Sequence, residues 1–530
     1  MRDFETPGRS LVMATQGMAA TSHPLSSLVA LDVLQAGGNA MDAAIAACAV
    51  QGVVEPGSTG IGGDCFALYA PQGSDQVVAF NGSGRCPQAA TPGFFAERGF
   101  GEIPRHSPHA VNVPGSVEAW ERLAQDHGTW PLSRLLAPAI RLAGEGYAVA
   151  PRVSRDWHEQ TALLARDEAA RRIFLPGGAA PLAGTRHVQP ELAQTLTRIA
   201  EGGSKAFYEG AVAQDMVDCL RARGGLHTLE DFAATRGTYV TPIKTAYRGF
   251  EVHECPPNGQ GIIALLLLNI LSRCDATGDP LSAERLHLEI EAARLAYSVR
   301  DAVVADPEHS AVPVDYLLSD ALACELHGLI RPDARQEPLP AVEMPAHKDT
   351  VYIVVVDKDR NVASFINSIF WPFGSGLVSP KSGVLFNNRG QGFTLKAGHP
   401  NAIGPAKRPM HTIIPGLLTR AGKVAMGFGV MGGQYQALGH AHFLTKVFDY
   451  GLDLQSAIDL PRVSPLFGTD AVEVEGSMPQ ETRDGLRRLG HRIVKPARPI
   501  GGAQAIWIDW ENGVLTGASD PRKDGCALGY

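Results

Sequence analysis

The sequence predicts an α+β protein built in layers, and three observations lead to that class. Helical patterns of apolar residues dominate the chain before Thr350, whereas short strand patterns separated by glycine turns dominate after it. Hydrophobic residues make up 45% of the 530 residues and charged residues only 19%, which is enough apolar surface for large cores. Such segregation suits helices packed on central sheets that take strands from both parts of the chain.

Charge, cysteine spacing and the lengths of apolar runs indicate the partners, the redox state and the location of the protein. The chain has 47 basic and 55 acidic residues, a net charge of −8, and no long basic block, so neither nucleic acid nor a membrane surface is expected as a partner. Eight scattered cysteines form no CxxC pair, which favours reduced thiols. The N-terminus lacks an apolar signal core and the longest apolar run, residues 262–268, is too short to span a bilayer, so we expect a cytoplasmic protein.

Before residue 350 the patterns are mainly helical. Residues 26–36 place apolar side chains on one helical stripe that ends at Gly37-Gly38, and residues 41–54 form an alanine-rich helix suited to burial between other elements. A strand pair is predicted at residues 66–69 and 76–80. Further helices are predicted within residues 114–147 and at 190–201, 211–223, 261–273 and 282–299.

After these helices comes a proline-rich stretch, residues 307–345, which we interpret as an exposed connection. The remaining chain predicts a helix over residues 434–450. It also predicts short strands, at residues 383–388, 411–414, 424–429, 472–475 and 505–509.

Thr350 heads the most strongly strand-like segment. Residues 351–356 are all apolar, β-branched or aromatic, as in a strand covered on both faces, and the polar residues 357–361 predict a turn into a second strand at 362–367. The hairpin would present the Thr350 hydroxyl at its end. A threonine before a strand usually reflects β-propensity alone, so this pattern by itself does not indicate catalysis.

Two local patterns resemble ligand motifs but lack their defining residues. The glycine-rich loop at residues 57–64 has no Gly-Lys-Ser/Thr ending and follows a helix, where a nucleotide loop would follow a strand. The His440-Ala441-His442 run has a helical setting that points its imidazoles to different faces, and no HExxH or Cys/His cluster accompanies it. We therefore expect no cofactor and no metal.

An ordered set of motifs, running from about residue 17 to the C-terminus, resembles the γ-glutamyltransferase family of N-terminal nucleophile hydrolases. No single piece is decisive, but the order makes the set specific. The motifs are GGNAMDAA (37–44), VEP (54–56), GIGG (60–63), VPGSV (113–117), LAPAIRLA (136–143), PPNGQG (256–261), the segment 350–361, MGG (431–433) and GASDPRKDG (517–525).

The resemblance implies a four-layer αββα sandwich built by one precursor that cleaves itself between Asp349 and Thr350. The products would be a large chain, residues 1–349, and a small chain, residues 350–530, which share one structural domain. The two chains would form a heterodimer, and we expect that two such heterodimers can associate into a dimer. Thr350 would supply both a hydroxyl nucleophile and, through its freed α-amino group with a pKa near 7.7 to 8.0, the base.

Other family roles fall on three residues. Gly432 and Gly433 match the glycine pair whose N–H groups face the oxyanion. Ser368 stands where the family has a threonine beside the amine of the nucleophile, and would orient that base.

Departures from the family pattern occur where a γ-glutamyl substrate would bind. Ser83 replaces the family's arginine, with Arg85 two places on; Phe370 replaces an asparagine; and Arg389-Gly390-Gln391-Gly392 stands where the family holds acids near the substrate ammonium. His411-Thr412 replaces a pair of serines. Because the sequence lacks the acids that would bind an α-ammonium group, we expect a substrate without an α-amino group. The candidate substrate-binding residues are Arg85, Arg389, Arg408, His411 and Thr412.

These departures resemble the branch of the family that includes oxamate amidohydrolase. We therefore expect a small amide that carries a carboxylate, with oxamate as the first candidate and oxalate and ammonia as products. Three alternatives stay open at this point: γ-glutamyl transfer or glutathione hydrolysis, a cephalosporin-type acylase, and an unprocessed binding protein without catalysis.

Overall fold

The computed structural model describes residues 8–340 and 350–530. Asp349, on one side of the predicted cleavage site, lies outside them. The strands are β1 Val12–Ala14, β2 Met18–Thr21, β3 Asp64–Ala70, β4 Val78–Gly82, β5 Tyr147–Ala148, β6 Arg186–His187, β7 Thr238–Val240, β8 Ile243–Tyr247, β9 Phe250–Glu254, β10 Val351–Val356, β11 Val362–Ser368, β12 Gly416–Arg420, β13 Lys423–Met431, β14 Val463–Pro465, β15 Ala471–Val474, β16 Arg492–Val494, β17 Gly502–Asp509, β18 Val514–Ser519 and β19 Cys526–Gly529.

The helices are α1 Pro24–Gln35, α2 Ala40–Val54, α3 Pro92–Glu97, α4 Ser116–His127, α5 Leu132–Glu145, α6 Pro151–His158, α7 Thr161–Leu164, α8 Glu168–Phe174, α9 Pro190–Gly202, α10 Lys205–Tyr208, α11 Gly210–Arg221, α12 Leu229–Ala233, α13 Gly261–Leu271, α14 Ala283–Val303, α15 Val314–Leu317, α16 Asp320–Gly328, α17 Tyr435–Phe448, α18 Leu454–Asp459 and α19 Gln480–Arg488. None of the helices in the described part of the chain has the length and apolarity needed to cross a bilayer.

Two seven-stranded sheets form the centre of the molecule. One has the order β1-β18-β17-β13-β12-β9-β8 and the other β19-β2-β10-β11-β3-β4-β7, and neighbouring strands in both run antiparallel. Each sheet combines strands from before and after Thr350, as the sequence predicts. Smaller sheets, β14-β15-β16 and β5-β6, lie outside this pair.

Three buried clusters show that the sheets are stacked between helices. Tyr352 and Val354 of β10 pack with Leu417 of β12 and Ile506 of β17 in the cluster between the two sheets. The alternate residues Ile353 and Val355 face the other way, into a cluster with α1, α2 and α5. The outer face of the other sheet packs against α13, α14 and α17. The four layers are therefore helix, sheet, sheet, helix, and the predicted αββα arrangement is confirmed.

Two predicted strands are wrong, and each for a physical reason. Residues 383–388 and 411–414 make only isolated bridges, Val378 with Leu385 and Gly259 with His411. Their polar groups bond to surrounding loops instead of to a ladder: Asn387 Nδ2 donates to Gly62 O at 2.8 Å, and His411 N donates to Asn258 O at 2.8 Å. Short apolar runs in such segments are buried as loops.

The proline-rich stretch is also more structured than predicted. Its described part, up to residue 340, contains the two short helices α15 and α16, and the buried Leu317, Leu322 and Leu326 anchor them to the core beside α13. Residues 341–349 lie outside the described part. All eight cysteines are unbridged, and six of them are buried.

Candidate active site

Thr350 stands immediately before β10, at the end of a strand with neighbours on both sides. Val351 pairs with Asn367 of β11, so the next place in the register sets Thr350 opposite Ser368. Thr350 is 1% exposed and Ser368 is fully buried. The fold thus brings two of the predicted site residues to one end of two neighbouring strands.

Gly432 and Gly433 form the turn between β13 and α17. Their φ angles are +128° and +58°, a region that residues with a side chain rarely adopt. The carbonyl oxygens of both are occupied, since Gly433 O accepts from Gln260 Nε2 at 3.1 Å and Gly432 O from Tyr435 N at 3.1 Å. Bonds at these carbonyls hold the turn, and with it the direction of its N–H groups, in one orientation.

The turn is joined to Thr350 by a residue that the sequence analysis missed. Gln436, in the first turn of α17, donates from Nε2 to Thr350 Oγ1 at 3.0 Å. It lies only three residues beyond the glycine pair, so its nearness to MGG was the one signal that could have found it. A glutamine near the start of a helix carries no motif of its own.

A second group of predicted residues meets around a buried ion pair. Arg389 donates from Nε to Asp64 Oδ2 at 3.1 Å and from Nη1 to Thr412 Oγ1 at 3.3 Å, while its guanidinium carbon lies 4.4 Å from the ring centre of Phe370. His411 Nε2 bonds to the same Asp64 oxygen at 3.1 Å. We call Asp64, Arg389, His411 and Thr412 the Arg389 cluster. Asp64, from the glycine-loop motif, was not predicted as a site residue.

Burial and the interactions among the side chains of the Arg389 cluster determine their protonation states. Burial and the Arg389 charge lower the pKa of His411 to about 4, so its imidazole is neutral at pH 7 and donates to Asp64. Burial alone would raise the pKa of Asp64, but the hydrogen bond from His411 and the charge of Arg389 lower it overall. Burial lowers the pKa of Arg389 to about 10, which leaves the guanidinium charged at neutral pH.

One nitrogen of the Arg389 guanidinium is unmatched within the described part of the chain. Arg389 is fully buried, and none of the residues 8–340 and 350–530 accepts a hydrogen bond from its Nη2. An unpaired donor on a buried charged group is costly, of the order of a few kcal/mol, and such groups are rare unless something else occupies them. The unpaired nitrogen marks a place where an anionic or carbonyl oxygen would be stabilised.

Arg85 and Arg408 bind a carboxylate outside the Arg389 cluster. Arg85 Nη2 and Arg408 Nη1 both bind Glu308, at 2.8 Å and 3.1 Å, and Arg408 Nε donates to Ser83 O at 3.1 Å. Both cations are thus engaged by one carboxylate. The structure brings three of the five predicted substrate-binding residues together and leaves these two on a neighbouring ion pair.

The glycine-rich loop at residues 57–64 serves close packing. A β-carbon at Gly62 or Gly63 would come closer than 3.0 Å to the carbonyl oxygen of Leu385 or Ser368. The loop also accepts side-chain bonds, for example from Asn367 Nδ2 to Thr59 Oγ1 at 2.8 Å. Glycine is required here because the loop carries backbone against the strand that ends at Ser368.

His440 and His442 bind separate carboxylates, as their predicted orientation on two helix faces requires. His440 Nδ1 lies 2.7 Å from Glu254 Oε1, and His442 Nδ1 lies 2.8 Å from Glu289 Oε2. Among the described residues, His287, Glu291 and His491 form a cluster with metal-ligand atoms, and there His287 Nδ1 lies 2.8 Å from His491 Nε2. Arg294, 3.5 Å from Glu291, supplies a positive charge that disfavours a cation at that cluster.

Comparison with known proteins gives the family. The family model "Gamma-glutamyltranspeptidase" matches residues 26–530. The chain is 38% identical to a glutathione hydrolase-like YwrD proenzyme of Bacillus subtilis, over 98% of this chain and 99% of that protein. It is 34% identical to an oxamate amidohydrolase proenzyme of Klebsiella pneumoniae, again over 98% and 99% of the two chains.

Solved structures of similar fold support the same family. A cephalosporin acylase from Bacillus halodurans superposes with a TM-score of 0.93 at 38% identity, covering 100% of this chain and 99% of that one. A γ-glutamyltranspeptidase of Helicobacter pylori gives a TM-score of 0.56 at 30% identity, covering 64% of this chain and 97% of that one.

The four-layer sandwich, with a threonine before a central strand, defines the class of N-terminal nucleophile hydrolases. Within that class the chain belongs to the gamma-glutamyltranspeptidase family. It is accordingly a hydrolase of the kind that is made as a proenzyme, with amidohydrolase or γ-glutamyltransferase-like activity.

Proposed function

We propose that Thr350 is the nucleophile and that the precursor is cut between Asp349 and Thr350, into chains of residues 1–349 and 350–530. In the cut, Oγ1 attacks the carbonyl carbon of residue 349, the C–N bond to Thr350 breaks, and the nitrogen takes the hydroxyl proton. Water then hydrolyses the ester. Support comes from the burial of Thr350 beside Ser368 and from the fixed glycine turn joined to it through Gln436.

Turnover on the mature enzyme uses the same oxygen. The freed α-amino group of Thr350 takes the hydroxyl proton while Oγ1 bonds to the substrate carbonyl carbon, and the C=O electrons move to the carbonyl oxygen. The N–H groups of Gly432 and Gly433 would stabilise that oxyanion, and Ser368 would orient the amine. The C–N bond then breaks, the leaving nitrogen takes the proton, and water hydrolyses the acyl-enzyme.

The substrate we propose is a small amide that carries a carboxylate and no α-amino group, with oxamate as the first candidate. The observation that carries this proposal is the unpaired Nη2 of the buried Arg389. A carboxylate oxygen would complete that guanidinium, and charge-assisted hydrogen bonds of this type are roughly twice as strong as neutral ones. Oxamate would give oxalate and ammonia.

The surroundings of Arg389 are unsuited to an ammonium group. The turn that contains it, Arg389–Gly392, has no acidic side chain, and the ring of Phe370 covers the guanidinium. Asp64 is the carboxylate of the Arg389 cluster, and it already pairs with Arg389 and His411. A γ-glutamyl α-amine would therefore meet a cation and an aromatic ring where it needs an anion.

Ammonia release from oxamate by the processed protein tests the proposal. Arg389→Met should lower kcat/KM on the order of 10²-fold by removing the charged donor, whereas Arg85→Met, a matched loss of an arginine bound to Glu308, should change it little. Arg389→Lys should recover only part of the loss, because an ammonium cannot reproduce the guanidinium geometry. The substrate proposal fails if oxamate releases no ammonia while a γ-glutamyl anilide turns over well.

A cephalosporin-type acylase is a second candidate, favoured by the likeness of the fold to a cephalosporin acylase from Bacillus halodurans. A cavity of about 510 Å³ is lined on one side by Ser83, Gly84 and Arg85, and Gly84 N donates to Asp64 Oδ1 of the Arg389 cluster at 2.6 Å. Thr350 does not line this cavity, so a dicarboxylic acyl group would have to extend past the Arg389 cluster to reach it. Release of amine from a dicarboxylic monoamide, faster than ammonia release from oxamate, would favour the acylase.

A cytoplasmic location and an assembly of two such heterodimers stay predictions. Cell fractionation and a mass measurement in solution would test them.

A further inference from the structure

Gln436 makes a direct contact with the hydroxyl oxygen that the proposed mechanism uses. Its Nε2 lies 3.0 Å from Thr350 Oγ1, and the glutamine is fully buried. No motif of the sequence analysis included it, and it stands outside the glycine pair and Ser368. The question is whether this amide only fills space or acts on the hydroxyl.

The orientation of the amide is settled by its other end. Gln436 Oε1 accepts from the backbone N–H of Ile414 at 3.0 Å. Since a backbone N–H can only donate, the atom facing Ile414 must be the amide oxygen, and the NH₂ group must face Thr350. Gln436 is therefore a donor to Oγ1, and it has no lone pair to offer on that side.

A donor at this place limits where the hydroxyl proton can lie. Because one lone pair of Oγ1 accepts from Gln436, the O–H bond of Thr350 must point away from that amide. Gln436 also sits in the first turn of α17, where its own N–H donates to Gly433 O at 3.3 Å. The partial positive charge of a helix N-terminus adds to the effect of the amide on a negative oxygen.

We propose that Gln436 is a catalytic residue, whose Nε2–H holds the Thr350 hydroxyl for deprotonation and stabilises the negative charge that develops on Oγ1 as its proton leaves. The role rests on the proposed function of Thr350 and extends it to a second group on the same oxygen. As the O–H proton is transferred and the C–O bond forms, the hydrogen bond from Gln436 is strongest while Oγ1 carries the most charge. The donor itself transfers no proton.

Self-cleavage of the precursor tests this without any choice of substrate. Gln436→Met removes the donor at similar volume and should slow cleavage on the order of 10²-fold, the effect of losing one donor to a developing oxyanion. Gln436→Glu keeps the shape and the bond from Ile414 but donates only when its carboxyl is protonated. Its cleavage rate should therefore recover as the pH falls, whereas that of Gln436→Met should not.

A matched control separates catalysis from folding. Gln455 is buried, and both ends of its amide bond to the backbone of Ser519, at 3.0 Å and 3.1 Å. Gln455→Met and Gln455→Glu also break buried hydrogen bonds, so they should lower the melting temperature as the Gln436 variants do, yet cleave at the wild-type rate. Equal cleavage rates in Gln436→Met and the wild type, with Thr350→Ala uncleaved, would overturn the role of Gln436 alone, whereas cleavage of Thr350→Ala would overturn the proposed nucleophile.

Discussion

At the scale of single residues, Asp64 supplies the counter-charge that stabilises the buried guanidinium of Arg389. Both side chains are fully buried, and their ion pair is 3.1 Å long. Asp64→Asn should lower the free energy of unfolding by about 3 to 5 kcal/mol, because it leaves a buried guanidinium without its counter-charge. Urea denaturation at pH 7 measures the change.

The control for this prediction is an exposed ion pair. Asp359 binds Lys358 at 2.8 Å with both side chains 61% exposed, so Asp359→Asn should leave the urea midpoint unchanged within error. Equal stability of Asp64→Asn and Asp359→Asn would show that Arg389 does not depend on Asp64.

The site was predictable to the extent that its residues belong to motifs. Thr350, Ser368 and the glycine pair were named from their match to the family pattern, and Arg389, His411 and Thr412 because they depart from it; the roles of all of them stay predictions. Asp64 and Gln436 were not named, since their contacts with Arg389 and Thr350 join residues that are 325 and 86 positions apart in the chain. Arg85 and Arg408 bind Glu308, a pairing that no local pattern contains.

At the scale of elements, β10 and β13 approach closely at a glycine. A β-carbon at Gly429 would come closer than 3.0 Å to the ring of Tyr352, whose hydroxyl is held by Ser364 at 2.7 Å. Gly429→Ala should therefore destabilise the protein by about 1 to 3 kcal/mol through overpacking between the sheets. Thermal and urea unfolding measure this.

Gly328→Ala, at the end of α16, is the control for Gly429→Ala. A β-carbon there meets no atom within 4 Å, so Gly328→Ala should be neutral or stabilise by up to about 1 kcal/mol through helix propensity. If Gly429→Ala unfolds at the same urea concentration as Gly328→Ala, the two sheets have room for a methyl group between Gly429 and Tyr352.

Helices and strands with a regular pattern of apolar residues were predictable, and buried loops were not. The helix predicted at 41–54 is observed as Ala40–Val54 and the strand at 351–356 as Val351–Val356. Residues 383–388 and 411–414 failed because a short apolar run bounded by polar residues is equally consistent with a loop packed under a sheet. The strand β2 was missed because its partner β10 lies in a distant part of the chain, and the local hairpin formed by β8 and β9 was missed as well.

At the scale of the whole molecule, buried neutral histidines set the response to acid. Burial lowers the pKa to about 4 for six of them and to about 3 for one; they are His23, His187, His227, His253, His411, His442 and His491. The unfolded chain would take up these protons near pH 6.5. The stability they contribute is therefore complete above pH 6.5 and is lost as the pH falls from 6.5 toward 4.

Each such histidine should add a slope of up to about 1.4 kcal/mol per pH unit in that window. The free energy of unfolding should fall steeply between pH 6.5 and pH 5. His227→Gln should reduce this slope by up to about 1.4 kcal/mol per pH unit, the contribution of one proton. Urea titrations at several pH values give the slope. A stability that stays constant over this range would contradict the burial of neutral imidazoles.

Cleavage before Thr350 would leave the molecule whole, because both sheets take strands from both sides of the cut. β10 lies between β2 and β11, and β12 lies between β9 and β13. Separating residues 350–530 from the rest would therefore break two ladders and the cluster between the sheets. The proposed chains should stay together under native conditions and separate only on denaturation.

The most direct test is the intact mass of the purified 56.3 kDa protein under denaturing conditions, with N-terminal sequencing of the smaller product. Two chains of about 37 and 19 kDa, in proportion to their lengths, are predicted, the smaller beginning Thr350-Val351-Tyr352, and Thr350→Ala should give one uncleaved chain. A wild-type protein that hydrolyses amides as one uncut chain, or that is cut at another bond, would contradict the account.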